Sequence, residues 1–419
     1  MKRAVVLSGG GSNGAYQIGV WKALKKLNIK YDIVTGTSVG AINGTMMTQK
    51  TYYKAYYFWK RLSFDMIFNE KLKNNYHTKE GKKEVLKMYT KNIILEGGME
   101  ISKLESLLRS VIKIKKVYRS NIDYGLVTFK LSKLKPIEKT KKQIKENEFI
   151  DYVIASATCF PAFQKKIINN DSYIDGGIYD NLPINLAIKM GADEIIAVDL
   201  NCVGIKQNVK KKNINITYIT PRSKLGSFLV FDSDLSNRAI DLGYNDTLKT
   251  FGKLDGNIYT FKKMQLKNLI LDCEDNFKKE LTNFFPQKTV YNTLITNTIK
   301  VLYKNNKPKT KDDISVLISC AVDNLGICFE IDETKIYKIY NFNNLVFDKI
   351  NNIQYDKNKK ISLIKFKDSK TRIKYLYEKI IYCIENKKYN EIDKNILLFP
   401  KDFISALYLY LMKKTKIEN

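Results

Sequence analysis

The sequence predicts an α/β fold built around a mainly parallel sheet, and three observations predict it. Arg3-Ala4-Val5-Val6-Leu7 is a short apolar run followed by Gly9-Gly10-Gly11-Ser12-Asn13-Gly14 and then by an amphipathic segment from Ala15 to Leu27. Ile33-Val34-Thr35 leads in the same way into Gly36-Thr37-Ser38-Val39-Gly40 and a helix-compatible stretch from Ala41 to Met47. A third apolar run, Ser172 to Ile174, delivers Asp175 to Gly176-Gly177. Strand, glycine turn and helix repeated in that order describe crossover units whose turns open on one carboxyl edge of a parallel sheet.

The second unit carries chemistry. A glycine two positions either side of a serine is the spacing of a nucleophile elbow, in which the serine sits on a strained strand-to-helix turn. Side chains at 36 and 40 would crowd that turn, which accounts for Gly36 and Gly40 around Thr37 and Ser38. The amide of Val39 then opens a helix, where an unpaired donor and the helix dipole stabilise a developing oxyanion. The same string also fits a purely structural glycine turn, so context decides.

The first glycine cluster offers two readings. Gly9, Gly11 and Gly14 satisfy G-x-G-x-x-G, the fingerprint of a dinucleotide-dependent oxidoreductase, and Asp32 follows at a plausible distance. However, Asp32 precedes Ile33, at the start of the second strand, whereas a ribose-binding acid belongs at the strand's carboxyl end. The alternative places the amides of Gly10 and Gly11 beside Ser38, where donors without side chains in the way suit a tetrahedral oxyanion. Asp175 reaches a turn whose two glycines permit close backbone approach, although aspartate before glycine is common in ordinary turns.

Together these three strings resemble the patatin-like phospholipase family, over Lys2 to about Phe261. The resemblance implies a three-layer patatin-like fold and a lipid acyl hydrolase of phospholipase A or lysophospholipase type. It implies Ser38 as nucleophile, Asp175 as its sole partner, and an oxyanion hole built from Gly9, Gly10, Gly11, Ser12, Asn13 and Gly14 with Val39. Ala155 to Phe163 is similar to the family's small-residue helix end and proline turn, and Asn181 and Pro183 fit as well. One departure stands at Asn13, where the family carries Arg or Lys, so no positive charge adjoins the oxyanion loop.

The resemblance accounts for the scarcity of histidine. His77 is the one histidine in the chain and lies in the polar stretch Asn74 to Glu80, without strand-end or glycine context. In a Ser-Asp dyad the carboxylate takes the serine proton directly and acts again when water attacks the acyl-enzyme. No cofactor and no metal are expected, because the dyad requires neither and no cluster of ligand residues is visible.

Composition bounds the rest. The chain has 419 residues, long enough for two domains, with 44% hydrophobic residues and 27 tyrosines. Cys159, Cys202, Cys273, Cys320, Cys328 and Cys383 are scattered, without a C-x-x-C pair, and read as free thiols. Neither a signal-peptide core after Met1-Lys2-Arg3 nor a membrane-spanning run is evident, Phe403 to Met412 being far short of the roughly 20 apolar residues a span needs. A cytoplasmic protein, with peripheral membrane association allowed, is the expectation.

The formal charge of +29 points to an anionic partner. Without a helix-turn-helix, zinc-finger or aromatic RNA-binding motif, an anionic membrane surface is expected over nucleic acid. A catalytically silent membrane-binding module therefore stays open beside the hydrolase and the oxidoreductase. Oligomeric state is not legible.

Along the chain, Thr51 to Phe68 is an aromatic helix-compatible stretch read chiefly as core, and the region from Thr51 to Leu107 is expected to shape the acyl pocket. Ala187 to Met190 reads as helix, Glu194 to Leu200 and Ile214 to Ile219 as strands, and Asp199 as a backup carboxylate. Residues 1–261 form the expected hydrolase domain and 262–419 a mainly helical accessory region, with exposed connections at 304–309 and 356–359.

Overall fold

β1 (Arg3–Leu7) lies between β2 (Ile33–Thr37) and β7 (Glu194–Val198), parallel to both. β3 (Asp123–Lys130) extends the parallel set beyond β2, and β8 (Asn215–Ile219) extends it beyond β7. In this computed structural model, residues 1–70, 72–74, 78–211, 213–302, 313–355 and 363–417 are described. β4 (Lys135–Thr140), β5 (Lys166–Ile168) and β6 (Asp171–Asp175) complete the sheet as antiparallel additions, β4 and β6 against β3 and β5 against β6. The central strands are apolar without alternation because parallel strands are covered on both faces.

Helices supply the two covers. On one face Ala4, Val6, Ile33, Ile195 and Ala197 pack against Leu182, Ile184 and Ala187, around the helix Ile184–Lys189. On the other, α2 (Val39–Thr48) meets Val34 and Tyr124 at Gly44, where a Cβ would stand 3.1 Å from the valine. α1 (Ala15–Lys26) packs against the helix Ser233–Thr250, and the two backbones nearly touch: a Cβ on Gly19 would lie 1.9 Å from the Ile240 carbonyl oxygen. Three layers result, as expected.

The chain divides into two compact units, Met1–Thr250 and Phe251–Asn419. The second is helical over Gln265–Phe284, Lys288–Leu302, Asp313–Cys328, Ile339–Asn351, Ser369–Glu385 and Pro400–Ile417. Its core centres on Phe261, Phe342, Phe403 and Tyr408. A three-stranded sheet of Leu254–Asp255, Thr260–Lys262 and Ile336–Tyr337, too short for a sequence pattern, accompanies the helices. Among the described residues no helix is long and apolar enough to cross a membrane.

Local readings differ in detail. Residues 11–14 of the first glycine loop form a short 3-10 turn rather than open loop. Thr51 to Phe68 splits into α3 (Tyr52–Arg61) and a single turn at Phe64–Ile67. His77 and the expected connections at 304–309 and 356–359 lie outside the described residues.

Candidate active site

Strand pairing brings Ser38 and Asp175 together. β4 occupies one edge of β3 over Gly125–Lys130, so β2 and β6 share the other edge. β2 runs parallel to β3 and ends at Thr37 opposite Val127, while β6 runs antiparallel and ends at Asp175 opposite Thr128. The two strands therefore point at each other across adjacent residues of β3. Ser38 follows Thr37 directly, and Ser38 and Asp175 line the same pocket.

Ser38 has the strained backbone an elbow requires, with φ 58° and ψ −130°. Its amide donates to Ser156 Oγ at 2.9 Å, and that hydroxyl donates to the Val127 carbonyl at 2.6 Å. Gly36 is obligatory because a Cβ there would stand 2.2 Å from the Gly40 carbonyl oxygen. Gly40 in turn would meet the Leu7 carbonyl at 2.3 Å, so the elbow is wedged against the end of β1. Thr37 Oγ1 donates to the Asp180 carbonyl at 2.7 Å, tying the elbow to the segment after the aspartate turn.

Asp175 is held from both sides. Its amide donates to the Thr158 carbonyl at 2.8 Å, and its Oδ1 accepts from the Gly177 amide at 2.7 Å. Gly176 passes so close to β3 that a Cβ would lie 2.3 Å from the Val127 oxygen. Burial raises the carboxyl to about 6, against the lowering pull of the nearby Ser38 side chain and of the Gly177 amide. A carboxylate placed there is a far stronger base than an exposed one.

The glycine loop runs past the same edge. The Gly9 amide donates to the Asn181 carbonyl, Ser12 Oγ to the Ser227 carbonyl, and the Ser12 amide to the Phe228 carbonyl. Gly11 is at φ 53°, with the Phe228 oxygen where a Cβ would be. Asn13 turns its side-chain amide onto Cys202 Sγ at 3.4 Å, so this position orders the loop through a neutral bond. Asn43 Nδ2 donates to the Gly14 carbonyl, which pins the loop to α2. Among the described residues the amides of Gly10, Gly11 and Val39 make no hydrogen bond.

These groups open on a pocket of about 240 Å³. Gly10, Gly11, Ser38, Val39, Asp175 and Gly177 contribute its polar end, and Ile42, Phe58, Trp59, Leu62, Ile67 and Leu104 much of its apolar wall. The aromatic face of α3 is thus both core and pocket wall, while Tyr53 and Tyr57 on the same helix are exposed. Asp199, the other carboxylate read from the sequence, does not line this pocket and pairs with Lys206 at 2.6 Å. Asp32 accepts from the Arg3 amide at the amino end of β2, the opposite end from Ser38.

The structure gives four residues contacts that the sequence did not assign them. Ser156 bridges the elbow to β3, and Gln17 and Asn43 bond each other and the glycine loop beneath the site. Their signal in the sequence was a lone amide on an otherwise apolar helix face in α1 and in α2. Asn181 is 2% exposed, lines the pocket and leaves Nδ2 without a partner among the described residues. Its side chain rests on Gly9, Gly177 and Gly204, each of whose Cβ positions lies within 3.0 Å of it.

A serine elbow, an aspartate turn and a glycine loop converging on one sheet edge define an α/β site of the hydrolase kind. Residues 5–188 match the family model described as patatin-like phospholipase, so this part of the chain is similar to that family. A probable lipid hydrolase of Invertebrate iridescent virus 6 is 29% identical over 258 residues, covering 56% of this chain and 83% of the viral one. Patatin-like phospholipase domain-containing protein 6 of Homo sapiens is 25% identical, covering 47% of this chain and 13% of the human one. A lysophospholipase of Aspergillus terreus is 27% identical, covering 48% of this chain and 12% of its own length. The chain therefore spans only a small part of the longer relatives it matches.

Proposed function

We propose that the chain is a lipid acyl hydrolase in which Ser38 and Asp175 form the catalytic dyad. The observation that carries this reading is the meeting of β2 and β6 end to end along β3, which sets Ser38 beside the buried Asp175 carboxyl, raised to about 6 by burial, at the polar end of an apolar pocket. Asp175 takes the proton as Ser38 Oγ adds to the ester carbonyl, and the resulting oxyanion is received by the free amides of Gly10, Gly11 and Val39. Collapse expels the alcohol, which receives the proton held on Asp175, and leaves an acyl-serine. Water then repeats the sequence, giving up its proton to Asp175, and releases the fatty acid.

The apolar wall formed by Ile42, Phe58, Trp59, Leu62, Ile67 and Leu104 matches an acyl chain rather than a polar acid. The names of the viral and fungal relatives agree with a lipid ester substrate. The Met1–Thr250 unit holds every residue of this mechanism, and we assign the reaction to it.

The test is active-site labelling with a fluorophosphonate, coupled to fatty-acid release from phospholipid and lysophospholipid. Wild type should be labelled and should release fatty acid, whereas Ser38→Ala should do neither. A folded wild-type protein that resists the probe and releases no fatty acid would sink the proposal.

A further inference from the structure

Around the mouth of the pocket, apolar side chains face water where a water-soluble substrate would call for none. Phe160, Ile178 and Val203 line the pocket and are 42%, 43% and 88% exposed, and Ile205 beside them is 55% exposed. They come from three separate segments: the turn before β5, the turn after Asp175 and the loop after β7. Backbone hydrogen bonds hold two of these together, since the Ile205 amide donates to the Gly177 carbonyl and the Asn181 amide donates to the Ile205 carbonyl. The side chains are thus presented outward on a fixed backbone.

Scattered exposed apolar residues are ordinary, but several converging on one opening mark a contact surface. Here Phe160, Ile178 and Val203 share one pocket with Phe163, Phe228, Leu229 and Phe231 and with the acyl wall. The stretches 160–165, 176–178, 202–206 and 224–231 contain no acidic residue, and of their lysines Lys165 and Lys224 are exposed while Lys206 pairs with Asp199. Lysines beside an apolar rim complement an anionic headgroup layer above an acyl interior.

Resting on the lipid-hydrolase reading, we propose that the rim of Phe160, Ile178, Val203 and Ile205 docks on the surface of an anionic lipid aggregate. The rim enters the headgroup boundary, and an acyl chain passes from the aggregate to Ser38 along apolar side chains without crossing water. Desolvation of the pocket mouth accompanies docking.

The test is vesicle flotation and turnover with the full chain, comparing wild type, Ile205→Asp and Val203→Asp. Vesicles of phosphatidylcholine with and without phosphatidylglycerol are the probe, and a water-soluble short-chain ester reports basal activity. Wild type should float better with the anionic vesicles, and each variant should lose about tenfold in binding, the effect of withdrawing one such side chain from apolar contact. Ile205→Asp should hydrolyse the soluble ester like wild type, which also certifies its fold, while its vesicle hydrolysis falls with its binding. Variants that float like wild type, or wild type that floats equally with both vesicles, would overturn the docking proposal even with esterase activity intact. Rim-dependent flotation without hydrolysis of any ester would uphold docking and refute the catalytic reading instead.

Discussion

Ser38 and Asp175 stand at the ends of two strands that meet head-on along one edge of β3, Thr37 opposite Val127 and Asp175 opposite Thr128. Their contact is therefore a property of the sheet register. The Ser38 amide donates to Ser156 Oγ, which donates to the Val127 carbonyl of β3, and the Asp175 amide donates to the Thr158 carbonyl, so both partners are fixed before any substrate arrives.

The pH dependence follows from the raised carboxyl. The proposed base Asp175 would take a proton only when ionised, so kcat/KM should climb with pH through about 6. One unit below that value it should fall to about a tenth of its plateau. A pH profile on a soluble ester checks this, and a flat profile between pH 5 and pH 8, values on the order of those in ordinary assays, would refute the assignment.

The same shift has a consequence for stability. Because the folded carboxyl ionises near 6 and the unfolded one near about 3.9, the folded state retains a proton over that interval that the unfolded state has lost. Asp175 thus contributes less to stability as pH rises across it. Asp175→Asn should be inactive yet more stable than wild type at alkaline pH by about 1 to 3 kcal/mol, with the advantage vanishing toward pH about 4. Denaturant melts at the two ends of the range measure the difference.

Ser156→Ala removes the acceptor of the Ser38 amide and leaves a buried donor unpaired. The expected cost is about 1 to 3 kcal/mol in stability, with kcat lowered and KM little changed. Equal stability and kcat in the variant would mean the bridge has no part in shaping the elbow.

The Asn181 side chain packs on Gly9, which adjoins Ser38, and on Gly177, which adjoins Asp175. A methyl group on Gly9 would approach Asn181 Oδ1 to 2.3 Å and Ser38 Cβ to 2.9 Å, so Gly9→Ala should lower kcat by about a hundredfold. Asn181→Asp adds a second carboxylate near Asp175 and should move the acid limb upward by about one unit. An unmoved limb would place the 181 side chain outside electrostatic reach of the base.

His77→Ala should keep most of the esterase activity, since the proposed proton acceptor is Asp175. Loss of turnover in a folded His77→Ala protein would replace the dyad with a histidine-dependent mechanism.

Much of this was legible in the sequence because glycine is informative where backbones crowd. Gly36 and Gly40 flank Ser38 as an elbow demands, and the structure gives each a specific backbone oxygen that would reject a side chain. The apolar runs of β1, β2 and β7 declared buried parallel strands by their lack of alternation. Helices of the second unit followed from apolar spacing, whereas its two-residue strands carried too little pattern to be seen.

Other features had no local signature. Ser156 looks like any small residue at a helix end until its hydroxyl is found between Ser38 and Val127. Asn13 reads as a departure in the glycine loop, and only its contact with Cys202, far along the chain, explains how an amide orders that turn.

The sequence by itself determined the elbow, the two glycine turns and the candidate pair, because each rests on short-range backbone sterics encoded within a few residues. Tertiary structure decided the union of Ser38 with Asp175, the basicity of that carboxylate and the apolar mouth of the pocket. Those depend on sheet register and on exclusion of water, which arise only when segments distant along the chain pack against one another.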